Sequence, residues 1–111
     1  MTEIKIATDF SRYPGGRYRR LGKFSGEEFR DDLLAPSLKN NDEVVVIVDG
    51  TSGYGSSFLE EAFGGLVRLG FSLVTLKEKL KPLAKDAEFE IYVEEIWQYV
   101  REAEDRKTVS A

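Results

Sequence analysis

Residues 43–65 read EVVVIVDGTSGYGSSFLEEAFGG. Five consecutive β-branched residues, Val44 to Val48, favour extended backbone. A run with no polar alternation predicts a strand covered on both faces, in the middle of a sheet packed by helices. Gly50 to Gly55 then supply a glycine- and serine-rich loop. From Ser56 or Ser57 onward, Phe58, Leu59, Ala62, Phe63, Leu66 and Val67 fall on one broad helical face. Glu60 and Glu61 stand early in that helix, where its dipole favours negative charge. Gly64 and Gly65 cost about 1 kcal/mol each against alanine in mid-helix. A close backbone approach to the sheet would offset that cost. Gly70 supplies a plausible stop.

Toward the N-terminus, TEIKIATDF alternates apolar and polar through Ile4, Ile6 and Thr8, the pattern of a half-exposed strand. Residues 11–24, SRYPGGRYRRLGKF, hold Arg12, Arg17, Arg19, Arg20 and Lys23 and no acid. Pro14-Gly15-Gly16 argues against regular structure there. Ser25 with Glu28 has the spacing of a capping box. Phe29, Leu33, Leu34 and Leu38 follow at helical spacing, and Pro36 predicts an end, kink or restart near Ala35. Toward the C-terminus, Ser72 caps a predicted short helix with Leu73, Leu76 and Leu80 inward. A strand is expected over Leu80 to Ala84. Phe89, Tyr92, Val93, Ile96, Tyr99, Val100 and Ala103 then predict a helix from about Ala87 to Glu104. Its Tyr92, Trp97 and Tyr99 suit core and rim, with a homodimer surface as an alternative. The strand-helix-strand-helix order predicts an α/β fold, a small central sheet with helices packed on it. One domain over residues 1–105 and a flexible tail over 106–111 are expected.

Composition excludes several chemistries. The 111 residues contain no cysteine and no histidine. Disulfides, thiol catalysis, Ser-His-Asp triads and most zinc or iron sites are therefore ruled out. A carboxylate-only site for magnesium or calcium stays open. No apolar run approaches the ~20 residues of a membrane span, and the first residues lack a signal-peptide pattern, so a cytoplasmic location is expected. Net charge is −4, with the basic stretch at 11–24 and an acidic one from Ala87 to Asp105.

The serine loop admits few catalytic readings. It has no Gly-Lys-Ser/Thr, so it is not a P-loop, and Phe58 stands where a dinucleotide fingerprint needs its third glycine. Neither serine has the Gly-x-Ser-x-Gly context of a nucleophile elbow. An enzyme using Asp49 and Ser56 would lack an ordinary base. Asp49 more simply satisfies loop amides. Ser56 or Ser57 as a helix cap would contribute ~1 kcal/mol.

The stretches GRYRRLGKFSGEEFRDDLLAPSL and VVVIVDGTSGYGSSFLEEAFGGLVR resemble the bacterial STAS-like domain family of unknown function, over residues 15–68. The turn also resembles the signature of the anti-sigma-factor antagonists, Asp-Ser-Ser/Thr-Gly-Leu. Here Gly55 replaces the aspartate and Phe58 the glycine. The resemblance implies a central sheet with helices on one side and a non-enzymatic, regulatory protein-interaction module without cofactors. It implies a histidine-kinase-like ATPase as partner and phosphorylation at the position of Ser56. Glu60 and Glu61, one turn away, would repel that phosphate. The contact loop would be Gly53, Tyr54, Gly55, Ser56, Ser57 and Phe58. Arg17, Arg19 and Arg20 would form an anion- or partner-binding patch. The alternative is a nucleic-acid-binding accessory domain, in which those arginines clamp phosphates and Tyr13 and Tyr18 stack on bases.

Overall fold

The structure is a computed structural model that describes residues 2–110, with side chains through residue 107. Three parallel strands form one sheet: β1 (Thr2–Lys5), β2 (Val44–Ile47) and β3 (Leu80–Leu83), in the order β1-β2-β3. Thr2, Val44 and Leu80 stand in one row across the sheet, and Ile4, Val46 and Pro82 in another. Parallel neighbours need crossovers. Helix α1 (residues 26–40) joins β1 to β2, while α2 (56–68) and α3 (Leu73–Lys79) join β2 to β3. The last helix is α4 (Glu90–Ser110). Consecutive right-handed crossovers place the connecting helices on one face.

Burial agrees with a single covered face. Ile4, Val44, Val46 and Leu80 are buried, whereas Glu3, Lys5, Lys81 and Leu83 on the opposite face are exposed. Val45 is half-buried there, and Ile47 is the buried member of that face. The expectation of cover on both faces therefore holds in part for β2, which has no exposed residue, and not for its neighbours β1 and β3. The apolar run of β2 reflects a central position in a two-layer fold. Among the described residues, no helix is long and apolar enough to cross a membrane.

Helix α2 is the middle of the helical layer. Phe58 and Phe63 meet Phe29 of α1 at ring-centroid distances of 6.1 and 6.2 Å. Ile96, Val100 and Ala103 of α4 belong to the same core. The glycines serve this layer. A Cβ on Gly26 would lie 2.4 Å from the Phe58 carbonyl oxygen, so the first turn of α1 rests on the α2 backbone. Gly64 and Gly65 face helices and not the sheet, correcting the sequence reading. Gly65 abuts the Arg30 side chain, and Gly64 the Tyr99 carbonyl.

Both α1 and α2 contain a π turn, over Arg30–Leu34 and Glu60–Gly64. The α1 turn lies directly before Pro36, whose nitrogen has no proton to donate. The helix runs on through the proline without stopping near Ala35. Strand β1 ends at Lys5 rather than continuing to Thr8, because Ile6–Phe10 curls into a single turn. The Lys5 N–H donates to the Asp9 carboxylate (2.8 Å), and the Ser11 N–H closes the turn on the Ile6 carbonyl (2.8 Å). Helix α4 extends to Ser110, past the expected limit at Glu104. Nothing in EDRKTVS breaks a helix, and Arg106 pairs with Glu102 at i,i+4. That helix covers most of the stretch read as a tail; Ala111 lies outside the described residues.

Candidate interaction surface

Because the strands are parallel, the segments that follow them gather at one end of the sheet, where α/β folds bind ligands and partners. Specific bonds tie these segments together. The Ser52 N–H donates to the Arg12 carbonyl (2.8 Å), joining the serine loop to the basic stretch. Both Asp49 carboxylate oxygens accept backbone N–H groups, from Lys85 and Asp86, each at 2.8 Å. Asp49 is therefore a brace between the segments after β2 and β3. The Tyr54 hydroxyl donates to the Val48 carbonyl (2.7 Å), and burial pushes its pKa up. Gly53 has φ +109°, and a Cβ there would sit 2.9 Å from the Tyr92 hydroxyl, so only glycine suits that turn.

Ser56 and Ser57 are both exposed at the start of α2, while the next residues, Phe58 and Leu59, are fully buried. Neither serine caps the helix, which corrects the capping expectation. Gly55 is the N-cap, extended at φ −75° and ψ 154°, and no side chain bonds the free N–H groups. The serines occupy the first two helical positions instead. The Tyr99 phenol beside Ser56 is pushed up in pKa by desolvation and by the Glu95, Glu102 and Glu60 carboxylates, with the Ser56 hydroxyl opposing. The cap that does form as predicted is Ser25, which accepts from the Glu28 N–H (3.0 Å). The Glu28 carboxylate reaches back to the Phe24 N–H rather than to Ser25 itself.

Arg17, Arg19 and Arg20 do not converge on one anion site, although Arg17 and Arg20 both lie over the Tyr18 ring. Arg17 crosses to α2 and donates to Glu60 and Glu61. Arg19 pairs with Asp32 of α1. Arg20 lies over the Tyr18 ring, 5.2 Å from its centroid. Arg17 belongs to a network that sequence reasoning missed. Arg30, only 8% exposed, donates to the Glu61 carboxylate, to the Glu61 carbonyl (3.2 Å) and to Asp31 (2.8 Å). Arg68 bonds Glu60 (2.8 and 3.1 Å) and Glu61 (3.4 Å). The signal was Arg68 seven and eight residues after the two glutamates, on the same helix face. Glu60 and Glu61 thus stand against the guanidinium groups of Arg17, Arg30 and Arg68, with Arg106 at the outer limit of pairing (3.9 Å from Glu60) and Asp31 balancing Arg30. They do not present the bare repulsion expected toward a phosphate on Ser56. Among the described residues, no group of three carboxylates is arranged to hold a metal ion.

Residues 25–90, from the α1 cap to the first residue of α4, match the model of the STAS-like domain of unknown function. The chain belongs to that family. No curated protein and no solved structure resembles this STAS-like domain closely enough to match it. The matched span contains β2, the serine loop, α2 and the Arg30–Glu61 pair. The basic stretch lies before it, so Arg17 ties a segment outside the match to the helix that carries the serines.

That tie gives the STAS-like domain an acid sensitivity. Burial pushes the Glu60 carboxyl up, but hydrogen bonds from Arg68 and Arg17 outweigh it and hold the pKa below the usual carboxylate range. A depressed folded-state pKa stabilises above the unfolded value and is lost as pH falls through the folded one. The urea midpoint should therefore decline below about pH 4.3. Arg68→Met should flatten that decline. An Arg68→Met profile parallel to wild type would contradict the assignment.

Proposed function

We propose that this STAS-like domain is a non-enzymatic regulatory module that binds a protein partner through the Gly53 to Ser57 part of the loop, Phe58 being buried beneath it, and that phosphorylation of Ser56 releases the partner. The observation that carries the reading is the open hydroxyl pair on a rigid support. Ser56 and Ser57 are exposed, and nothing lies within 4 Å of a Cβ placed on Gly55. The buried Phe58 and Leu59 fix the same turn to the core. Resemblance to the anti-sigma-factor antagonists points to a histidine-kinase-like ATPase as partner.

Binding fits these residues better than catalysis. Asp49 has both oxygens engaged by backbone amides, and the chain has no histidine or cysteine to serve as base. A protein partner also fits better than nucleic acid, since Arg17 and Arg19 are already paired with carboxylates. A phosphate on Ser56 brings a charge of about −1.5 to −2. The helix N-terminus favours it, and Arg17 and Arg68 neutralise the glutamates below. A partner surface packed on the loop would face a dianion stripped of water, and would dissociate.

The test is to incubate the purified domain with a histidine-kinase-like ATPase and ATP, then measure intact mass. One added phosphoryl group is expected. Ser56→Ala should abolish it and Ser57→Ala should retain it. An unmodified mass, or a phosphate elsewhere, sinks the switch. Absence of a complex with the unmodified domain sinks the module reading itself.

A further inference from the structure

We propose that the cleft beside the serine loop receives a cationic side chain, an arginine or lysine, from the protein partner. The cleft encloses about 280 Å³ between the segment after β2 and the start of α4, and is lined by Thr51, Ser52, Gly53, Glu88, Phe89 and Tyr92. It lies at the carboxyl ends of the central and third strands, next to the exposed hydroxyls. The source of the cation rests on the interaction-module reading; the preference of the cleft for cations does not.

Three features select positive charge. Glu88 is the charged residue of the lining, is exposed, and takes part in no hydrogen bond or ion pair of the described structure. Glu60 and Glu61, by contrast, are neutralised by arginines of this same chain. The aromatic rings come next. Phe89 and Tyr92 stand 5.8 Å apart by centroid, and Tyr54 packs edge-on against Tyr92 at 4.9 Å, which holds the Tyr92 ring in place. A cation within about 6 Å of such a ring face gains roughly 0.5–1 kcal/mol at an exposed site. The remaining lining offers hydroxyl oxygens on Thr51, Ser52 and Tyr92 as acceptors for guanidinium or ammonium N–H groups. Gly53, whose Cβ would collide with the Tyr92 hydroxyl, allows the loop to lie this close to α4.

The residues on either side of Glu88 add negative charge, against the exposed Lys85 and Arg12 that border the two segments. Asp86 and Glu90 flank Glu88 and are exposed. An anionic ligand would be repelled here, so the cleft is no second phosphate site. Phosphate chemistry at Ser56 and cation capture at Glu88 are adjacent but separate features of one contact surface.

The probe is the peptide acetyl-Gly-Arg-Gly-amide, titrated into the full chain and followed by amide NMR. The control is the same peptide with citrulline, the neutral isostere of arginine. Saturable shifts are expected at residues 51–53 and 88–92 with the arginine peptide only. Raising the salt should weaken them. Glu88→Gln should weaken binding by about fivefold, and Phe89→Leu should weaken it further with the fold retained. Equal binding of the citrulline peptide, shifts scattered over the acidic face of α4, or an unchanged affinity in Glu88→Gln overturns the proposal. If the peptide fails while the ATPase still binds the loop, the cleft is wrong and the module reading stands. If the peptide binds while no ATPase complex forms, the cleft stands and its assigned source is wrong.

Discussion

Arg30→Met lowers the unfolding free energy by about 3 kcal/mol, read as a shift in urea midpoint at neutral pH. Removing one member of a buried ion pair leaves its partner under-compensated, and Glu61 is only 7% exposed. Arg17 and Arg68 still reach Glu61, which keeps the loss near the lower end of the usual range. The loss is a large share of the 5–15 kcal/mol that holds an ordinary domain together. Arg30→Lys does not rescue it, because an ammonium cannot reach Glu61, its carbonyl and Asp31 at once. Arg30→Met combined with Glu61→Gln removes the stranded charge and recovers much of the stability. If the single and double variants unfold at the same urea concentration, the pair is not the source of the loss.

Gly26→Ala lowers stability by about 2 kcal/mol, a fall of roughly 10 °C in Tm. On helix propensity alone the change should stabilise by up to about 1 kcal/mol. The sign reverses because the added methyl would stand 2.4 Å from the Phe58 carbonyl oxygen and 3.1 Å from the Ala62 nitrogen. Those are backbone atoms, so relief requires α1 to move off α2. Gly16→Ala is the control: its Cβ meets nothing within 4 Å, it caps no helix, and its Tm should match wild type. A Gly26→Ala Tm equal to wild type would mean that the helices do not cross as closely as described.

These two sites mark where reading the sequence succeeds and where it stops. The β2 run, the α2 face, the Ser25 and Ser72 caps and the third strand were legible, because each depends on neighbours within a few residues. Ser72 accepts from the Thr75 N–H at 3.1 Å, as its position suggests. The exposed outer face of the sheet was hidden, since a β-branched run looks alike whether one or two layers cover it. The serine cap failed for a local reason: Gly55 provides the extended N-cap backbone, displacing both hydroxyls by one and two positions. The partners of Gly64, Gly65 and Arg17 were out of reach for a topological reason. Arg17 and Glu60 are 43 residues apart and meet only after the crossovers form. A solvated basic patch and a strap of paired arginines have the same composition. Only the fold distinguishes them, and it joins the basic stretch to the serine loop through Arg12 and Ser52.

The central claim is that the serine loop is the surface a partner covers. Gly55→Trp places a large side chain on that loop, in open space and at an ordinary φ of −75°. Glu78→Trp places the same side chain on the exposed side of α3. Binding of a histidine-kinase-like ATPase, the proposed partner, to both variants, measured by biolayer interferometry, is the direct test. The account predicts at least a tenfold loss for Gly55→Trp, about 1.4 kcal/mol, with Glu78→Trp matching wild type. Equal affinity of Gly55→Trp and wild type would contradict it.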